Sequence, residues 1–151
     1  MSSFCDMTAT DLRQMIGRKD ISPVELVEAS IERIEMVDPS LNAFVTKNYE
    51  AARKTAKIAE KNVLEGELLG LLHGLPIGIK DLEATAGLRT TLGSKLYADH
   101  VPTADLGVVA NVRTAGGIVL GKTNTPEFGA GANTRNLVFG ATGNPFNPAK
   151  T

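Results

Sequence analysis

The sequence predicts an α/β fold in which amino-terminal helices precede the first part of an incomplete, mostly parallel sheet with flanking helices. Three observations predict it. Apolar residues from Leu12 to Val63 recur at three and four residues, the period of one helix face. Pro76 to Ile79 is a short, largely apolar run and Ile118 to Leu120 a compact β-branched one, as buried strands are. A helical pattern through Leu106, Val109 and Val112 stands between those two runs, so strand, helix and strand make a right-handed parallel crossover. Residues 1–66 thus read as helical and 67–151 as the start of an α/β core, together one domain.

Taken in order, Thr8 with Asp11 three residues on opens a short helix, whose apolar edge is Leu12, Met15 and Ile16 and whose end is Gly17. A second helix has Ser22 as N-cap, Pro23 at its first position and Glu25 to complete a capping box, and Asp38-Pro39 stops it. Val24, Val27, Ile31 and Ile34 form its inner face, with Glu25, Glu28, Glu32 and Glu35 outward as a solvated face. Leu41 to Thr46 reads as a short extended segment. Tyr49, Ala52, Ala56, Ala59 and Val63 carry a third helix to about Leu64, with alanines small enough for close packing. Arg53, Lys54, Lys57 and Lys61 cover its outer side, and Glu50 stands four residues before Lys54 for a weak ion pair.

After the breaks at Gly66 and Gly70, the run from Leu72 to Asp81 stops abruptly at a lysine. In a strand, Ile77 and Ile79 point one way and Gly78 and Lys80 the other. The glycine leaves space beside the lysine stem, and burial there favours the neutral amine, which is a base. The plainer alternative is a lysine that ends a strand in water. Gly87, Thr90, Thr91, Gly93 and Ser94 form a loop, Asp105 to Thr114 a helix closed by Gly116 and Gly117, and Ile118 to Leu120 a strand. Lys80 and Lys122 then lie at the carboxyl ends of parallel strands, the edge where open α/β sheets bind ligands. Thr125-Pro126-Glu127 starts another helix, and Asn144-Pro145 and Asn147-Pro148 are turns. Two parallel strands with helices on mostly one side leave a sheet edge unpaired, open to a second copy or to a complementing carboxyl-terminal chain.

Composition removes several function classes. The chain has 151 residues and 42% apolar content, enough for a sizeable core. Sixteen basic against seventeen acidic residues give a net charge of -1, which provides no footprint for nucleic acid or an anionic membrane. No apolar run reaches membrane-spanning length, the first dozen residues lack a secretory apolar segment, and Cys5 is the sole cysteine; together these describe a cytoplasmic protein. His73 and His100 are isolated, so neither a metal site nor a cofactor is expected. Gly116 to Thr123 matches the phosphate-binding pattern G-x-x-x-x-G-K-T, but a helix precedes its first glycine and its spacer is itself the strand, the reverse of a phosphate cradle. No G-x-S-x-G occurs, and Ser94 suits a hydrogen bond within its own loop.

Four motifs in order, G-L-P-I-G-I-K-D at 74–81, L-R-T-T-L-G-S at 88–94, G-K-T-N-T-P-E-F at 121–128 and G-N-P-F-N-P at 143–148, together resemble the amidase signature family, and D-L-R-Q-M-I-G-R-K-D-I-S-P-V-E-L from Asp11 is similar to its amino-terminal helices. The resemblance implies that residues 1–151 are the amino-terminal part of a single amidase domain. It implies a hydrolase that cleaves a carboxamide, or passes its ammonia to an acceptor, through a lysine, a bridging serine and a nucleophilic serine, without a cofactor. Lys80 matches the family lysine. The loop Gly129, Ala130, Gly131 and Ala132 resembles the segment bordering the acyl pocket and is the candidate substrate-binding stretch, with a small amide as partner. The family's serine- and glycine-rich segment, which carries both serines and the oxyanion donors, has no counterpart, because no serine follows Ser94. The chain alone is therefore expected to be inactive. A general amidase and the glutaminase subunit of a tRNA-dependent amidotransferase both remain open, as does a non-catalytic binding module completed by a partner chain.

Overall fold

In the computed structural model, which describes residues 4–151, helices cover both faces of a three-stranded sheet. Helix α1 (Ala9–Arg18) begins where Thr8 Oγ1 accepts the Asp11 amide at 3.1 Å, and the Asp11 carboxylate accepts the Thr8 hydroxyl at 2.6 Å. It passes through Gly17 and ends at Lys19, which takes the left-handed conformation. Helix α2 (Pro23–Leu41) has both halves of its capping box, with the Glu25 carboxylate accepting the Ser22 amide at 2.8 Å. Pro39 does not stop it. Glu35 and Pro39 are both exposed, so water can satisfy the carbonyl that proline leaves without a donor. The stop comes at Asn42 (φ 55), where the Asp38 carboxylate accepts the amides of Ala43 at 2.6 Å and Phe44 at 3.0 Å.

Helix α3 (Tyr49–Glu65) closes at Gly66, whose positive φ of 74 a side chain would strain. Its small Ala52, Ala56 and Ala59 let it lie close to Val27, Ile31 and Ile34 of α2, and these residues enclose Ile118 and Leu120. The glutamate face of α2 is not purely solvated, because Glu28 takes a two-pronged pair from Arg53 at 2.7 and 3.0 Å. That guanidinium holds the Glu28 carboxyl below the usual carboxylate range. Glu50 turns to Arg53 at 3.1 Å rather than to Lys54. Leu26, outside the expected inner face, joins Leu12, Ile16, Ile21, Val63 and Leu75 in a second cluster that binds α1 to the rest.

The sheet runs β1 (Phe44–Lys47), β3 (Ile118–Thr123), β2 (Pro76–Lys80) across its width. Strand β2 lies parallel to β3 through the crossover helix α4 (Gly107–Thr114), as expected, but β1 joins antiparallel and makes the sheet mixed. Val119 turns to the other face and packs with Ile79, Leu88 and Val109 of α4. Helices therefore lie on both faces rather than mostly on one. A strand that is apolar on both sides requires such cover. The helix expected at Thr125-Pro126-Glu127 shrinks to the short turn Glu127–Gly129, since Phe128 and Gly129 both turn left-handed and cannot propagate it. A short hairpin, β4 (Arg135–Asn136) and β5 (Gly140–Ala141), follows.

One irregularity decides which side chains face the site. Ile77 pairs with Val119, yet Gly78 pairs with Gly121, so β3 carries one extra residue. Unbroken alternation would send Lys122 to the side of Ile118 and Leu120. The bulge instead places it opposite Ile79, on the α4 side. Gly121 permits this because a Cβ there would stand 2.3 Å from the Thr46 carbonyl oxygen. Lys122 is fully buried, and loss of water pushes its amine down to about 8 although the nearby carboxylates of Asp81, Glu83 and Asp105 pull the other way.

Gly121→Ala is expected to cost more than about 2 kcal/mol, read as a lower urea midpoint at unchanged slope, because the added methyl meets backbone that cannot swing aside. For Lys122, the folded value of about 8 lies below the ordinary 10.5, so across that window the unfolded chain holds a proton that the folded chain has released, and stability rises with pH. Urea unfolding of Lys122→Met and the parent at about pH 7.5 and about pH 10 checks this: the variant should lose the rise, and identical pH dependence in both would refute it.

Candidate active site

Lys80 closes strand β2 at the carboxyl edge of the sheet, paired across to Thr123. The expected alternation holds, with Ile79 buried on the α4 side and Gly78 and Lys80 exposed. The space beside the glycine, however, is filled. A Cβ at Gly78 would stand 2.9 Å from the Thr123 methyl and 3.0 Å from the Phe44 ring, so Gly78 exists to admit those groups. Antiparallel pairing of Phe44 with Thr123 brings that ring in. The expectation of a buried, desolvated Lys80 is thus corrected: ring and methyl fill the strip beside Gly78, while Lys80 itself stays exposed.

The backbone on either side of Lys80 is held firmly. The Lys80 carbonyl accepts the Glu83 amide at 3.0 Å, which closes a turn directly after the strand. Asp81 is fully buried. Its amide donates to the Thr123 carbonyl at 2.9 Å, its carbonyl accepts the Leu92 amide at 3.0 Å, and its carboxylate accepts the Thr91 hydroxyl at 2.5 Å and the Thr91 amide at 3.1 and 3.2 Å. From the opposite face, Lys122 Nζ donates to the Glu83 carbonyl and, at 2.7 Å, to the Thr85 hydroxyl oxygen. Sequence reading singled out neither Asp81 nor Thr91 as a supporting pair. The signal was an acid placed directly after Lys80 with a threonine pair ten residues on.

Ser94 is buried and its hydroxyl accepts the Leu96 amide at 3.4 Å, the local loop role anticipated for it. The following loop is tied in by the Phe128 amide, which donates to the Leu92 carbonyl at 2.7 Å. Of the four candidate substrate-binding residues, the structure brings Gly129 to the site: a Cβ there would stand 2.8 Å from Leu82 Cδ1, in the turn after Lys80. Ala130, Gly131 and Ala132 are exposed. Behind them, the Asn136 side-chain amide donates to Asn124 Oδ1 at 2.7 Å and to the Thr125 carbonyl at 2.8 Å, which braces the loop against β3.

The other candidates fall elsewhere. His73 is buried with Nε2 3.0 Å from the Ala59 carbonyl, a tie between α3 and the loop before β2. His100 is exposed beside the Tyr97 ring. Among the described residues, no group of three or more His, Cys, Asp or Glu side chains is placed to hold a metal. Ile118 to Thr123 of the phosphate-binding pattern form β3 itself, so no helix opens at Lys122. A cavity of about 580 Å³ lies between α3 and α4, lined by Asn48, Thr55, Asn62, His73 and Arg113 among others; neither Lys80 nor residues 129–132 line it.

Comparison with known proteins bears on this geometry. The Amidase family model matches residues 25–151. The acylamidase of Rhodococcus erythropolis is 43% identical over 140 residues, which is 93% of this chain and 29% of that protein. A glutamyl-tRNA(Gln) amidotransferase subunit of Acidothermus cellulolyticus is 39% identical over 146 residues, covering 97% of this chain and 29% of its own length. The crystal structure of a bacterial aryl acylamidase of the amidase signature family follows 93% of the chain with a TM-score of 0.88 and 37% identity, and 30% of that structure is covered. The chain thus spans about three tenths of the length of the relatives it matches. With residues 25–151 matched by the family and nine tenths of the backbone following one of its members, the strand that ends in Lys80 is an amidase strand, and the chain belongs to the amidase signature family.

Proposed function

We propose that the chain supplies the base, Lys80, for hydrolysis of a carboxamide C–N bond within an amidase-type site. The observation that carries the reading is Lys80 at the carboxyl end of a parallel strand, its neighbours locked by the buried Asp81–Thr91 pair. In its neutral form Lys80 Nζ takes a proton from a bridging serine that has accepted it from the nucleophilic serine, and later returns it to the leaving amine. Lys80 is exposed, and this reading calls for apolar cover over it in the completed site. Gly129 to Ala132, joined to the turn after Lys80 through Leu82, supplies the wall for the substrate's acyl group.

The chain carries neither serine of that mechanism. Ser94 is buried and no serine follows it. Without a nucleophile and oxyanion donors the 151-residue chain is inactive on amides by itself. Strand β2, paired with β3 on one side, offers its outer edge to a complementing carboxyl-terminal segment or chain. The substrate is a small amide. A second reading, glutamine hydrolysis within a tRNA-dependent amidotransferase, is favoured by the 39% identity to such an enzyme's subunit over 97% of the chain. The near-neutral charge of -1 gives that reading no help, though such a subunit can leave RNA contact to its partners. No helix among the described residues is long and apolar enough to cross a membrane. The site of action in this reading is cytoplasmic, which suits a chain with a single cysteine.

A chimera joining residues 1–151 to the remainder of the Rhodococcus erythropolis acylamidase, assayed on acetanilide and on glutamine, tests the reading. Turnover is expected, with a loss of about 10³-fold or more in Lys80→Ala. Full activity in that variant would sink the assignment of Lys80. Turnover by the 151-residue chain alone that Lys80→Ala abolishes would sink its inactivity, and glutamine-selective turnover would favour the second reading.

A further inference from the structure

Lys122 is the largest fully buried side chain in the described part of the protein, although a methionine or leucine would fill its place without burying an amine. Its backbone pairs with Ile79, the residue before Lys80. Its Nζ donates to the Glu83 carbonyl and to the Thr85 hydroxyl, three and five residues after Lys80, and Glu83 in turn closes the turn on the Lys80 carbonyl at 3.0 Å. One residue therefore holds both flanks of Lys80, by its backbone before it and by its side chain after it. The Thr85 hydroxyl donates to the Glu83 carbonyl at 3.0 Å, so amine, hydroxyl and carbonyl form a closed triangle beneath the turn. The carboxylates around the amine, Asp81, Glu83 and Asp105, come from the same loop and from the start of the crossover segment; Asp81 is engaged by Thr91, and Asp105 by the Ala86 amide and Arg113.

We infer that Lys122 is a positioning residue for Lys80: placed on the α4 face of the sheet by the Gly121 bulge, it pins the turn that follows Lys80 and so fixes where the base stands. This rests on the reading of Lys80 as the base. The alternative role is plain core filling, which supports the whole fold rather than one turn.

Hydrogen exchange by mass spectrometry on the 151-residue chain, with the acetylation rate of Lys80 measured against Lys47 as internal reference, separates the two. Lys122→Met is expected to speed exchange in residues 81–94 by about tenfold or more and the relative acetylation of Lys80 by about threefold, while α2 and α3 keep their protection. Thr85→Val should act in the same direction with the lysine in place, and Thr85→Ser should restore parent behaviour. Unchanged exchange in 81–94, or an increase spread equally over α2 and α3, overturns the inference. If Lys122→Met does not fold, the Thr85 pair decides by the same readouts. None of these measurements requires turnover, so they fail or succeed independently of the Lys80→Ala assay.

Discussion

Strand β3 is apolar on both faces, and covering it organises the rest of the chain. Ile118 and Leu120 call for α2 and α3 on one side, and Val119 calls for α4 on the other. The alanine stripe of α3 follows from that demand, since only small residues let two helices and a strand share so little space. Antiparallel β1 then covers one edge, and its Phe44 ring takes the room that Gly78 leaves beside Lys80. Cover for β3 thus shapes the surface beside the proposed base.

The same strand changes character at Gly121. Before it, β3 serves only the core; after it, Lys122 and Thr123 face opposite sides of the sheet at the candidate site. Burying an amine there works against stability, because water solvates a cation far better than a protein interior does. Two hydrogen bonds and the carboxylates of Asp81, Glu83 and Asp105 offset part of that cost. The ion pair between Glu28 and Arg53 is a different case. Both side chains remain over a third exposed, so solvent screens the attraction and the pair contributes little beyond orienting α2 against α3.

Around Lys80 the supporting structure is more complete than the site itself. Asp81, Thr91, Glu83, Thr85 and Lys122 hold the turn and loop behind it, whereas Lys80, Ala130, Gly131 and Ala132 are exposed. The role proposed for the exposed Lys80 calls for apolar cover over its side chain. Amidase signature relatives are more than three times as long as the stretch matched here, which leaves ample chain in them to provide such cover.

Local signals in the sequence determined most of the elements. Ser22, Pro23 and Glu25 started α2, Gly66 ended α3, and the β-branched runs around a helical pattern set the parallel crossover, because caps and periodicity act within a few residues. The strand-ending Lys80 and its resemblance to the family lysine were also legible. Tertiary structure alone decided the antiparallel pairing of β1, the face on which Lys122 lies, the filling of the space beside Gly78 and the exposure of Lys80. Each depends on a contact between residues far apart in the chain. At the bulge the Thr46 carbonyl leaves no room for a Cβ on Gly121, and Phe44 reaches Gly78 through the pairing of β1 with β3. No periodicity along a single segment contains that information, since a one-residue slip between strands turns every later side chain to the opposite face.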